Sequence, residues 1–203
     1  MLQPPFFDPN GPDYLNYGSL GVMITHGILH GFDQHGRRYD EQGKHNIHWW
    51  SNETRSTFDT AASCLEDQYS EFNISSNGSS NNRNKKENDS HFPVNGKQTL
   101  DGNLADLGGL LQAYATWKKY GNTNKLLPGL DKWTREQLFY INFARMRCSK
   151  STVENDLQEV CKTRYLCYTI FQGLLINNLL ILFPILFDCL HYYHLVTYKS
   201  SCT

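Results

Sequence analysis

The stretch Thr25-His26-Gly27-Ile28-Leu29-His30-Gly31-Phe32-Asp33 decides how this chain is read. Two histidines stand four residues apart. On a helix, residues i and i+4 share one face a turn apart, so both imidazoles can reach a single ion. The flanks support a helix from about Ser19. Leu20, Val22, Met23, Ile24, Ile28 and Leu29 are too apolar for a surface helix, which predicts a buried one. Gly27 inside it costs about 1 kcal/mol relative to alanine, and Gly31 is a natural stop.

The spacing is that of the H-E-x-x-H zinc helix, whose glutamate is the general base that activates water. Here Gly27 stands in the glutamate's place. The pattern therefore points to a metal-binding pair and argues against the chemistry that pair normally serves.

Composition sets the outer bounds. The chain has 203 residues, 39% of them hydrophobic and 13% aromatic, enough for the core of one domain, perhaps with a tail. Its 19 basic and 20 acidic residues leave a net charge of -1, which gives no electrostatic reason to expect nucleic acid. None of the six cysteines forms a C-x-x-C knuckle, so structural zinc is not expected. Sequons at Asn52, Asn73, Asn77 and Asn88 agree with a luminal or secreted setting. The N-terminus lacks the basic start and apolar run of a signal peptide, which for a luminal protein implies an incomplete chain.

Residues 1–18 read as an extended lead-in, because Pro4, Pro5, Pro9 and Pro12 exclude a stable helix. Asp33 to Gly43 reads as a hairpin or loop. Trp49-Trp50 then opens a second helix to about Phe72. Trp49, Trp50, Phe58, Ala61, Ala62, Leu65 and Tyr69 form its apolar face, with Cys64 nearby. The two tryptophans and Trp117 read as core residues before ligand platforms. Residues 73–98, rich in Asn, Ser and Lys, read as a flexible insertion, and Arg83, Lys85 and Lys86 as part of a solvated loop. A third helix runs from Leu100 to Tyr120 on Leu104, Leu107, Leu110, Leu111, Tyr114 and Trp117, and Gly121 ends it. A turn follows at Leu126-Leu127-Pro128-Gly129-Leu130. Thr134 with Gln137 forms a capping box for a fourth helix through Phe139, Ile141, Phe143 and Met146.

After Cys148 the character changes. Residues 149–203 form a separate tail, and 165–187 within it is almost wholly apolar and long enough to span a membrane. Asn177-Asn178 near its middle argues against a span. The positive-inside rule, read from Lys162 and Arg164, would put residues 1–164 in the cytoplasm, against the luminal reading. A span, a poorly folding hydrophobic tail and a buried helix all remain open.

The order of motifs resembles the C-terminal part of the neprilysin and endothelin-converting-enzyme family of zinc metalloendopeptidases. The resemblance rests on Leu2-Gln3-Pro4-Pro5-Phe6-Phe7, Leu15-Asn16-Tyr17-Gly18, His30-Gly31-Phe32-Asp33 with Gly36-Arg37, Asn103-Leu104-Ala105-Asp106 with Gly108-Gly109-Leu110, and Gln137 to Ala144. It covers residues 1–148. It implies a mainly α fold, a fragment of a thermolysin-like zinc peptidase domain with a short hairpin after the zinc helix. It implies an extracellular or membrane-associated setting, with peptides as partners and zinc as cofactor. His26 and His30 fall on the metal ligands, and Asp106 on the aspartate that orients a ligand histidine.

The departures are specific. The general-base glutamate is replaced by Gly27, and the third zinc ligand, also a glutamate, by Gly102. Asp101 is about 100° away around the helix and a methylene shorter. His35, His45, His48 and His91 lie in loops without metal-ligand spacing. His48 stands where the family usually has an aspartate before its tryptophan pair. The family's His-Ser-Pro and arginine have no counterpart after Cys148, and its Asn-Ala-x-Tyr substrate strand has none before the zinc helix. The cysteines with which Cys64 and Cys148 would pair in the family are missing too. The expectation is a degenerate, truncated and catalytically inactive homologue. The alternatives are a non-catalytic peptide-binding or interaction protein that keeps the groove, and a weak zinc-dependent peptidase.

Overall fold

The structure is a computed structural model, which describes residues 2–75, 91–121 and 127–147. Among them stand five α-helices and one two-stranded antiparallel sheet. The chain divides into two compact units, residues 1–45 with 104–148 and residues 46–103 with 149–203. The mainly α expectation therefore holds.

In the first unit the helical run starts at Asp13, earlier than the sequence predicts. Helix α1 (Asp13–Asn16) passes through a π turn (Tyr17–Gly21) into α2 (Val22–Leu29) and a 3-10 turn (His30–Phe32). Pro12 is the N-cap of α1. Proline breaks a helix interior, but its fixed φ and missing N–H are harmless at a helix start. The expected burial of α2 is also corrected. Val22 is buried, whereas Ile24 and Ile28 are 54% and 60% exposed. An all-apolar helix has no sequence signal for which stripe turns inward; its packing partner decides that.

Helix α2 meets α4 (Gly96–Tyr120), while α5 (Arg135–Met146) packs on α1 and the π turn. An aromatic cluster joins α4 and α5 to α1. The Trp117 and Phe139 rings stack at 5.6 Å, and Tyr14 meets Trp117 edge-on at 6.2 Å. Tyr14, Phe139 and Phe143 are almost fully buried. The Asn142 side-chain amide donates to the Leu15 carbonyl at 2.8 Å. The capping box of α5 forms in full: the Gln137 amide donates to Thr134 Oγ1 at 3.2 Å, and the Thr134 amide to Gln137 Oε1 at 2.8 Å. Gly18 permits the close crossing of the first helical run and α5, because a Cβ there would lie 2.5 Å from the Phe139 carbonyl oxygen.

Beyond α2 the expected hairpin reduces to a 3-10 turn (Gly36–Arg38) and one antiparallel bridge, Tyr39 to His45. Gly43, at φ 72°, makes the turn between them.

In the second unit, helix α3 (Asn52–Ser70) starts after the tryptophan pair. Ser51 caps it by accepting from the Thr54 amide at 3.1 Å. Trp50 packs edge-on against Phe58 at 5.4 Å, and Trp49 is 38% exposed. Phe58, Ala61, Ala62, Leu65 and Tyr69 of the predicted inward face are buried, whereas the tryptophan pair precedes the helix and does not share that burial. Cys64 is exposed and disulfide-bonded; every other cysteine lies outside the described residues. Strand β1 (Asn73–Ser75) pairs with β2 (His91–Pro93), and α4 already begins at Gly96, so both ends of the expected 73–98 insertion carry regular structure. Residues 76–90 and the apolar segment 165–187 lie outside the described residues. Among the described residues no helix is long and apolar enough to cross a membrane.

Two glycines should respond in opposite ways. Gly18→Ala forces a methyl onto the Phe139 backbone and should cost about 2 kcal/mol. Gly27→Ala meets no atom within 4 Å and should gain about 0.5–1 kcal/mol from helix propensity. Urea denaturation of both variants beside the parent checks this. Midpoints moving in the same direction would contradict the packing described.

Candidate metal centre

His26 projects from α2, and its neighbours place it. Thr25 Oγ1 donates to the Gly109 carbonyl of α4 at 2.7 Å. Gly109 has no side chain at the crossing; a Cβ there would stand 2.8 Å from the His26 amide nitrogen. The two helix backbones can therefore touch. That contact sets His26 against Asp106, one turn earlier on α4, with His26 Nδ1 2.6 Å from Asp106 Oδ1.

Asp106 is 1% exposed, so its carboxylate needs partners. Arg147 supplies the second. This residue is the C-cap of α5. Its guanidinium grips the carboxylate with both arms, at 2.7 Å to Oδ2 and 2.5 Å to Oδ1. The fork-on-carboxylate geometry holds Asp106 as the anion.

His30 is anchored separately. Its Nδ1 lies 2.8 Å from Asp33 Oδ2. Asp33 is 5% exposed, and its Oδ1 accepts from the amides of His35 and Gly36 at 2.8 Å each. The loop thus fixes the carboxylate that fixes the ring. Gly36 must be small here, because a Cβ would collide with the His30 carbonyl oxygen.

Both rings consequently have the same tautomer. An ionised carboxylate only accepts hydrogen bonds, so each Nδ1 carries the proton. The two Nε2 atoms face one another at 3.1 Å, with the ring planes at 85°. At that separation the two nitrogens can share a proton in an N–H···N hydrogen bond or flank a metal ion. Two imidazoles on one tetrahedral zinc, each at about 2.0–2.1 Å, would hold their nitrogens about 3.3 Å apart. The pair fits two positions of such an ion.

The remaining protein position is not filled. Among the described residues, no third His, Cys, Asp or Glu donor forms a three-ligand cluster with His26 and His30. Gly102, four residues before Asp106 on α4, is buried. Gly27 is exposed on α2, and nothing lies within 4 Å of where its Cβ would be. Of the alternative histidines, His35 is exposed, and His45 is also exposed and packs edge-on against Tyr39 at 5.5 Å. His48 is exposed in the second unit, and the His91 side chain lies outside the described residues.

The sequence reading identified His26, His30 and Asp106, which the structure brings together. It missed Asp33, Arg147, Thr25 and Gly109. Asp33 had a local signal, a carboxylate three residues after a histidine. Arg147 had none, because its partner lies 41 positions away.

Replacing Asp106 by Asn should cost about 3 kcal/mol. The change leaves the Arg147 guanidinium, only 14% exposed, without its counter-charge. Urea denaturation measures it, and a loss under about 1 kcal/mol would mean that the pair behaves as a surface ion pair.

Comparison with known proteins gives the family and the fold. The model of peptidase family M13 matches residues 1–165, passing beyond Cys148. Neprilysin-11 of Caenorhabditis elegans is 37% identical over 164 residues, which cover 79% of this chain and 18% of that protein. The endothelin-converting enzyme homolog of Locusta migratoria is 40% identical over 158 residues, covering 76% and 19%. Human neprilysin is 39% identical over 151 residues, covering 73% and 18%. The chain thus spans about a fifth of the length of these relatives. Among solved structures, the zinc metalloprotease Zmp1 of Mycobacterium tuberculosis in its open state superposes with a TM-score of 0.68 at 26% identity, over 94% of this chain and 27% of that one. PepO of Lactobacillus rhamnosis superposes at 0.63 and 24% identity, over 94% and 26%, and supports the fold. With the family model matching most of its length and such relatives beside it, the chain belongs to peptidase family M13.

Proposed function

We propose that this chain is a neprilysin-family homologue that no longer hydrolyses peptides and that keeps a two-histidine zinc anchor. The observation that carries the reading is the open space at Gly27. The position one residue after His26 has no side chain, and no described neighbour fills the space. General-base catalysis is worth roughly 10²–10⁴-fold, and no side chain at position 27 is there to supply it. The second loss compounds the first. Catalytic zinc takes three protein ligands and a water, whereas this chain offers His26 and His30, with Gly102 where a third would stand.

Zinc would supply Lewis acidity toward a peptide carbonyl when bound. The chain's own residues hold the two rings in one tautomer, with Asp106 behind His26 and Asp33 behind His30. Gly27 brings no carboxylate to take a proton from water. Zinc affinity should accordingly fall well below that of a three-ligand site.

A second reading, peptide binding without cleavage, has its own support. Ile24, Ile28 and Phe32 are 54%, 60% and 38% exposed at four-residue spacing, an apolar stripe on the face of the helix turned away from His26. Such a stripe can take up apolar peptide side chains. The relatives and the Cys64 disulfide favour an oxidising, extracellular setting for either role.

The test is a fluorogenic peptide assay with added zinc, on the parent, His26→Ala, Gly27→Glu and the double variant Gly27→Glu/Gly102→Glu. The parent should be as inactive as His26→Ala, and only the double variant should gain turnover. Zinc-dependent turnover by the parent above the His26→Ala level would overturn the reading. Polarisation of a labelled peptide, measured alongside, separates binding from cleavage.

A further inference from the structure

We propose that Arg147 is a positioning residue for the histidine pair: its two-armed grip on Asp106 fixes the plane of that carboxylate, and through it the tautomer and ring angle of His26. The inference rests on the reading of His26 and His30 as a metal anchor, and extends it to a residue outside the zinc-helix motif.

The chain of contacts is short. Arg147 contacts both oxygens of Asp106, and Oδ1 is also the atom that meets His26 Nδ1. A carboxylate held at one oxygen only can rotate about its Cβ–Cγ bond. One held at both by a planar fork cannot rotate without breaking a hydrogen bond. The direction in which His26 Nδ1–H is held therefore depends on the guanidinium. So does the direction of Nε2 on the far side of the ring, aimed at His30 Nε2 at 3.1 Å.

Arg147 is itself held in place. It caps the C-terminus of α5, where a positive charge is favoured by the helix dipole. Its guanidinium carbon lies 4.9 Å from the centre of the buried Phe143 ring. The side chain is 14% exposed, so water competes poorly for the fork. Lysine could supply charge at this place but not the fork, because an ammonium is a point donor. The geometry thus separates a role in positioning from a role in charge alone.

The test uses the full chain, with Arg147→Lys and Arg147→Gln beside the parent. Two readouts apply. Nitrogen-15 NMR of the imidazoles without metal reports the tautomer of His26. Competition titration with zinc reports affinity. The parent should show His26 protonated at Nδ1, and Arg147→Lys should show mixed tautomers with zinc affinity about tenfold weaker. Arg147→Gln should lose about 10–100-fold, the range for residues behind a metal ligand. A lysine variant matching the parent in both readouts would overturn the proposal. Loss of folding by both variants, seen by circular dichroism, would make Arg147 a folding residue and overturn it equally. If the parent binds no zinc, the metal-anchor reading fails, and the metal-free tautomer measurement still decides the role of Arg147.

Discussion

A carboxylate almost wholly removed from water holds the site together. Asp106 is tolerable inside the protein because its charge is met, by the Arg147 guanidinium and by the His26 imidazole among its partners. Those contacts tie α2, α4 and the end of α5 to one point. Losing either partner would leave a buried charge half compensated, a cost of several kcal/mol in a fold whose net stability is of that order. The local geometry is therefore set by electrostatics, and apolar packing holds the frame that makes the geometry possible.

The glycines divide into those the fold needs and those that mark a loss. Gly18, Gly36 and Gly109 each stand where another backbone comes too close for a Cβ. Gly27 has open space around it, and its backbone is ordinary helix. A glycine there serves no steric purpose. Gly27 and Gly102 occupy the two positions at which the resemblance to zinc peptidases calls for carboxylates. The carboxylates beside the two rings, Asp33 and Asp106, are present, while positions 27 and 102 carry glycine. A scaffold can keep its shape through such a loss, because the orienting carboxylates also stabilise the fold and the lost ones served chemistry.

Much of this was legible in the residues. The capping box at Thr134 and Gln137 marked the start of α5, and the leucine period marked α4. The four-residue spacing of His26 and His30 marked the centre. What failed was of another kind. Pro12 was read as excluding helix when it only fixes where helix begins. The apolar residues of α2 predicted burial, but Ile24 and Ile28 face outward, because α4 meets the Thr25–His26 side across Gly109. The face a helix buries belongs to the pair of helices. Arg147 was invisible for the same reason, since a lone arginine at the end of a helix shows nothing of the carboxylate it will meet.

The central claim is that the two imidazoles hold a metal ion and that no third protein donor joins them. A zinc anomalous-difference map from a crystal soaked in zinc tests it most directly. The account predicts a single peak bonded to His26 Nε2 and His30 Nε2, with solvent completing the shell and open space beside Gly27. A peak bonded to a third protein side chain, or no peak between the two rings, would contradict it.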